Sequence, residues 1–461
     1  MKKILLLILL IFPILVHAED ITSSSTILVG ESSNFTKLRD GNENIYSVIE
    51  KDKEIKITND SEIYGLYIIY ELKAVEGKIR ANDKEMIIGN KGYLHEYINI
   101  NSQLGYTKEI IITYNDSVKI GEIYVLGAGE LPEFVEVWED AHTEADLLLF
   151  STHSDDEQLF FAGLIPYYIA KGANVEVVYF TNHNDNPRRL HEQIHGLYKV
   201  GLRNYPVIGF VPDAYSETLA GALSNLERAG YKEDDAIKFM VTMIRRFKPL
   251  VVVGHDEAGE YSHGQHILCT DVLKKALDLT QNEEYDTESI NTYGKWDTPK
   301  TYLHLYKDNP IIMNYDEPLD YFNGLTAYEV SKLGYKEHHS QQYTWFTKWL
   351  TGVDQNGNGT PFKSATEITK YSPLNYGLYR TTVGLDENKN DMFENLTLRK
   401  DIKEEEETEE NKTTNKTTTK KDEKEKDYSL LIKYTIYATP ILLILVVVLI
   451  ILKKKNKKIQ P

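Results

Sequence analysis

Two clusters of histidines and acids, about a hundred residues apart, carry the chemistry open to this sequence. The first is His153-Ser-Asp155-Asp156-Glu157, reached from the apolar run Leu147-Leu-Leu-Phe150. The second is His255-Asp-Glu-Ala-Gly-Glu260-Tyr261-Ser-His263-Gly-Gln-His266, which follows Val251-Val-Val-Gly254. Imidazole nitrogen and carboxylate oxygen are donors that a transition metal such as Zn²⁺ takes, and a catalytic site uses three of them and keeps one position open. His153 and Asp156 are three apart, so one turn can aim both at one point. His263 and His266 are also three apart and share a helix face. With Asp155 and Glu157 alongside, one histidine and one acid are left over for proton chemistry. A single cluster reads more readily as a helix N-terminus capped by His153 with acids on its positive end. Two clusters, each after an apolar strand, favour one shared metal site.

The elements that must position these residues are short and buried. Continuous Leu and Val runs of four or five residues fit parallel strands covered on both faces, and open α/β sheets place ligands at the carboxyl ends of such strands. Strands are expected at Asp146–Phe150, Val175–Thr181, Pro206–Val211 and Pro249–Gly254, and helices near 157–171, 188–200, 233–247 and 264–278. This alternation predicts a Rossmann-like α/β domain over 143–393. No Gly-x-Gly-x-x-Gly follows the first strand, which disfavours dinucleotide binding. Residues 20–135 show evenly spaced alternating segments, such as Ile63–Tyr70 and Glu109–Tyr114, which predict a β-sandwich, jelly-roll-like, acting as a carbohydrate-binding module or a spacer. Trp345 and Trp349, four apart, read first as a core face of a helix and second as a sugar-stacking platform.

Both ends carry targeting signals. Met1-Lys-Lys and the apolar Ile4–Val16 read as a signal peptide over 1–18. Tyr434–Leu452 is apolar and of membrane-helix length, and Lys453–Lys458 supplies five lysines after it. The expectation is a C-terminal transmembrane helix at 434–452, a basic cytoplasmic tail at 453–461, and a type I single-pass protein whose catalytic domain lies outside the cytoplasm. The Lys/Glu/Thr tract 399–428 has no apolar periodicity and reads as a disordered stalk. The lone Cys269 allows no internal disulfide, and the net charge of −18 argues against nucleic acid as a partner.

His153-Ser-Asp155-Asp156-Glu157 resembles the His-Pro-Asp-Asp-Glu signature of the PIG-L / LmbE-like zinc deacetylases, which remove N-acetyl groups from GlcNAc-containing glycoconjugates. Arg189-Leu-His-Glu192, Gly209-Phe-Val-Pro-Asp213, His263-x-x-His266 and His339-Ser-Gln341 resemble four further segments of that family, in the same order, over about 143–345. The resemblance implies that His153, Asp156 and His266 bind the metal, Zn²⁺ or alternatively Fe²⁺. It implies Asp155 as general base, His263 and Tyr261 at the oxyanion, and Arg189 and Asp213 on the sugar. It departs at Ser154 and Thr152, where the family has proline and alanine. The substrate implied is an N-acetylated sugar or glycolipid at the cell surface. Two competing readings are an inactive surface glycan-binding protein and a non-haem iron enzyme with a two-histidine, one-carboxylate triad.

Overall fold

Period-two alternation folds the N-terminal part of the chain into two antiparallel sheets. The computed structural model describes residues 19–402. Its first strands are β1 (Thr26–Val29), β2 (Ser47–Ile49), β3 (Ile55–Thr58), β4 (Gly65–Tyr70), β5 (Gly77–Ala81), β6 (Lys84–Ile88), β7 (His95–Asn99), β8 (Glu109–Tyr114) and β9 (Val118–Leu126). They form sheets of order β1-β3-β8-β5-β6 and β2-β9-β4-β7. Ile55, Ile57, Ile110 and Ile112 of one sheet share a core with Leu66, Ile68, Ile120 and Ile123 of the other, which makes the pair a sandwich. β4 is buried at every position because its second face is covered too: Tyr67 and Ile69 pack with Leu126 and Val135.

A third sheet is built on β10 (Leu147–Ser151), β11 (Val175–Tyr179), β12 (Val251–Gly254) and β13 (Lys300–His304), all parallel. β14 (Pro310–Ile312) and, after the separate short pair β15 (Pro318–Leu319) and β16 (Leu325–Thr326), β17 (Asn375–Thr381) complete it antiparallel, in the order β11-β10-β12-β13-β17-β14. The unbroken Leu/Phe run of β10 is explained by its two covered faces: Leu147 and Leu149 enter one core, and Leu148 and Phe150 the other. The strand order reverses between β10 and β12, and both histidine-acid clusters leave the sheet at that switch point.

Two local expectations are corrected. Pro206–Val211 is not a strand but makes two isolated parallel bridges, Val178↔Val207 and Thr181↔Val211, beside β11. Pro206 has no N–H to donate, and Gly209 crosses so near the chain that a Cβ there would sit 2.2 Å from the Phe180 carbonyl oxygen. The helix expected at 157–171 is two pieces, Asp156–Leu159 and Leu164–Ala170. Gly163, at φ +90°, separates them where a Cβ would strike the Tyr315 ring at 2.4 Å.

The expected transmembrane helix, and with it the type I single-pass placement, is also corrected. Among the described residues no helix is long and apolar enough to cross a membrane. The longest, Gly264–Leu279, has 16 residues, short of the roughly 20 a bilayer core needs, and it carries charges. The segment 434–452 lies outside the described residues, as do the leader 1–18, the tail 453–461 and the stalk beyond 402. Arg399, where the stalk was expected to begin, is tied to Glu144 at 2.6 Å and to the Lys248 carbonyl at 2.6 Å.

Glu176 on β11 is wholly buried, and one carboxyl oxygen has no partner. Burial pushes its pKa up to about 8, against the opposing His142 N–H and Arg246 charge. The unfolded carboxyl loses its proton near 4.3, so between about 4.3 and 8 the native state holds the extra proton and stability falls as pH rises. Glu176→Gln should therefore gain on the parent across that window, by about 2–4 kcal/mol at its top, and no further above it. Urea unfolding at a series of pH values checks this; a gap independent of pH refutes it.

Candidate functional site

The site starts where β10 ends. The backbone turns sharply through His153, Ser154 and Asp155, and Asp155 sits at φ 118°, ψ −24°, a conformation that costs a non-glycine residue free energy. Several bonds hold the turn. The Asp155 N–H donates to Glu157 Oε2 at 3.0 Å, and the His153 N–H donates to Asp156 Oδ2 at 2.7 Å. At Ser154 the backbone N–H donates to His183 Nε2 at 3.0 Å, and the hydroxyl to the Arg189 carbonyl at 2.7 Å. Proline could make neither bond, so hydrogen bonding here fixes a loop that a ring would otherwise fix.

Three donor atoms converge. His153 Nδ1, Asp156 Oδ2 and His266 Nε2 lie 3.1 Å from one another along each edge. A tetrahedral ion about 2.0–2.1 Å from each donor sets edges of about 3.3–3.4 Å, so these residues could hold one with little adjustment. The partners on the far nitrogens fix which ring atoms are bare. Gln265 is oriented by two bonds of opposite sense: its Nε2 donates to the Pro212 carbonyl at 2.9 Å, and its Oε1 accepts the Ala214 N–H at 3.0 Å. That same Oε1 faces His153 Nε2 at 3.0 Å, so Nε2 carries the hydrogen and Nδ1 is free. His266 Nδ1 faces Glu260 Oε2 at 2.8 Å, which leaves its Nε2 free.

His263 is arranged the other way. Its Nδ1 accepts the Gln265 N–H at 3.2 Å, capping the helix Gly264–Leu279, so the proton of the neutral ring is on Nε2. Burial, and then the neighbouring His153 and His266, push its pKa down to about 2. His263 is thus a neutral N–H donor, although its nitrogen lies within ligand range of His153 and His266.

Asp155 lies beside the triangle. Burial pushes its carboxyl up to about 7, Arg189 opposes this at 3.2 Å, and Asp156 adds to it. Burial would raise Asp156 as well, but the facing His266 and His153 hold it well below the usual range. Arg189 also reaches Asp213 at 3.2 Å and the Ser154 carbonyl, while its Nε has no partner. Asp213 lies 3.3 Å from His183 Nδ1 and is about a quarter exposed at the rim. The opening has a volume of about 130 Å³, with Tyr261, Phe160, Phe346 and Trp349 forming an aromatic wall. Trp349 is buried and Trp345 half exposed, so the pair divides between core and surface.

Other residues also shape the site. Glu260, wholly buried, accepts from His255 Nδ1 at 2.9 Å, His266 Nδ1 at 2.8 Å and His304 Nδ1 at 2.6 Å. His255 Nε2 in turn accepts the Thr152 N–H at 3.0 Å. The acid of Glu157 turns away to His338 at 2.8 Å, and His338, not the exposed His339, is the buried histidine of its segment. Glu192 holds that segment through the Ser340 N–H at 2.7 Å. The Cys269 thiol is in the core, and burial pushes it up to about 12, so it stays protonated.

Residues 148–277 match the PIG-L family, described as GlcNAc-PI de-N-acetylase, and the chain carries a domain of that family. The 1D-myo-inositol 2-acetamido-2-deoxy-alpha-D-glucopyranoside deacetylases of Streptomyces griseus and Mycolicibacterium smegmatis are 25% and 28% identical to it. The matches cover 32% and 30% of this chain and 53% and 54% of those proteins, so the chain spans about half the length of these curated relatives. Among solved structures, an N,N'-diacetylchitobiose deacetylase from Pyrococcus horikoshii is similar at 16% identity, over 43% of this chain and 71% of that one, with a TM-score of 0.33.

Proposed function

We propose that this protein is a metal-dependent amide hydrolase that removes the N-acetyl group from a GlcNAc-type sugar. The observation that carries the reading is the 3.1 Å triangle of His153, Asp156 and His266 with a buried acid, Asp155, at its edge. Bound there, a divalent ion supplies Lewis acidity to the attacking water and the acyl oxygen; Zn²⁺ and Fe²⁺ both suit the donor set.

The chain's own groups divide the remaining work. Asp155 takes the proton of the attacking water and returns it to the departing amine, a role suited to a carboxyl whose proton affinity is raised by burial. His263 offers its Nε2–H to the oxyanion from the other side, with Tyr261 beside it at a ring separation of 5.3 Å. Arg189, through its unpaired Nε, and Asp213 at the rim take the sugar hydroxyls, and the aromatic wall takes an apolar sugar face. Amine and acetate release from a panel of GlcNAc conjugates, measured beside metal content, tests the reading; no release from any of them by metal-loaded protein would refute it.

His263 and His266 of the second cluster should separate. His263→Ala should lower kcat by about 10²–10³-fold and keep its metal, as expected for loss of one oxyanion donor. His266→Ala should lose the metal. The reverse pattern in metal analysis would exchange their roles.

A further inference from the structure

A second group of metal-ligating side chains lies where the sandwich meets the parallel-sheet domain. His95 opens β7, Glu43 lies in the loop before β2, and Glu136 lies in the segment joining the two domains. His191 and His195, four apart, come from the helix Pro187–Lys199. His95, His191 and Glu136 are almost wholly buried. Donor atoms of Glu43, His95 and His191 lie within 4.8 Å of one another.

The outer partners of the two buried rings determine where their hydrogens are. His95 Nδ1 faces Glu136 Oε2 at 3.0 Å, and that oxygen also receives the Trp138 indole N–H at 3.0 Å. A carboxylate only accepts, so Nδ1 carries the hydrogen. His191 Nε2 faces the Glu71 carbonyl oxygen at 3.1 Å, and a carbonyl also only accepts. Each neutral ring is then bare at its other nitrogen. Those two nitrogens, His95 Nε2 and His191 Nδ1, point at each other across 2.8 Å, in near-parallel rings. Two lone pairs so placed, with a carboxylate beside them, repel unless a proton or a metal ion sits between them. A carboxylate behind one ring and a carbonyl behind the other is also how metal-ligating imidazoles are held in orientation.

We infer a second divalent transition-metal site at this junction, with His95 Nε2, His191 Nδ1 and a carboxylate oxygen of Glu43 as its donors. Two imidazoles and one carboxylate suit first-row divalent ions. The 2.8 Å approach is shorter than the edge of about 3.3 Å in a loaded tetrahedral site, so the rings part by a few tenths of an ångström on binding. His195 braces the cluster, with Nδ1 at 2.6 Å from Glu136 and Nε2 at 3.0 Å from Glu43. A cleft of about 350 Å³, lined by Glu43, Glu136 and His195 among others, supplies a path to it. The ion joins the sandwich to the helix that carries Arg189.

The test uses the whole chain. Protein stripped of metal, reloaded with Zn²⁺ at neutral pH and freed of excess should carry about two equivalents, and about one after His153→Ala/His266→Ala, which leaves the junction alone. Adding His191→Gln or Glu43→Gln to that variant should remove the last equivalent. Either change made singly in the parent should leave about one. Co²⁺ in the His153→Ala/His266→Ala variant should give a visible d–d absorption that His191→Gln abolishes. If that variant, folded by circular dichroism, binds neither ion, the cation between the rings is a proton and the proposal is overturned. Unchanged metal content after His191→Gln and Glu43→Gln overturns it as well. Glu43 is at the rim, so its change reports even where a histidine change disturbs folding. Failure of the catalytic reading would look different: the parent would lose nothing on His153→Ala/His266→Ala.

Discussion

Asp155→Asn should abolish most turnover, by about 10²–10⁴-fold in kcat, and leave metal content unchanged. The substitution keeps size and shape, and asparagine tolerates positive φ better than most residues, so the turn at φ 118° survives. What is lost is a proton acceptor in a buried setting, 3.2 Å from Arg189 and next in sequence to Asp156. Released acetate and bound metal measured on the same sample separate chemistry from assembly. Full activity on a verified substrate would remove Asp155 from the mechanism, and loss of metal would make it a ligand.

Glu260→Gln should weaken metal binding by about 10–100-fold, although Glu260 touches no position an ion would occupy. Its two oxygens accept from His255, His266 and His304 and from the Asp256 N–H. Burial alone would raise this carboxyl, but the three imidazoles, His255 first, hold it well below its usual range. An amide would present N–H where imidazole N–H groups already point, so His266 must turn or change tautomer and its Nε2 is no longer held bare. Removing one partner from such a buried charged network costs about 3–5 kcal/mol, which urea unfolding would read. Metal affinity equal to the parent would show that His266 needs no fixed tautomer.

Strand ends and the spacing of the candidate ligands were legible because they obey short-range rules. The apolar run Leu147–Phe150 followed at once by His153 places a histidine at a strand's carboxyl end, and the i, i+3 spacing of His263 and His266 places both on one helix turn. The structure brings His153, Asp156 and His266 together and sets Asp155, His263, Tyr261, Arg189 and Asp213 around them. Glu260 and His255 stood in the quoted motif, yet nothing local says that one carboxylate serves three rings, because His304 arrives from β13, some forty residues on. Pro206–Val211 looked like a strand because apolar content says nothing of Gly209's approach to Phe180. The apolar stretch 434–452 was read as a membrane helix from length and flanking lysines alone, and no described helix meets that standard.

The helix Pro187–Lys199 turns Arg189 toward the pocket beside His153 and Asp155, and His191 and His195 toward the sandwich. Nearby, Tyr205 stacks on Tyr93 at 4.5 Å and takes the Leu94 N–H. An engineer who cut the chain near residue 130 to free the parallel-sheet part would keep every side chain of the proposed site. The cut would still strip the outer face of the helix from which Arg189 reaches its acid. A recombination in the loop between them would yield a protein with all its reactive groups and unsteady ground beneath one of them.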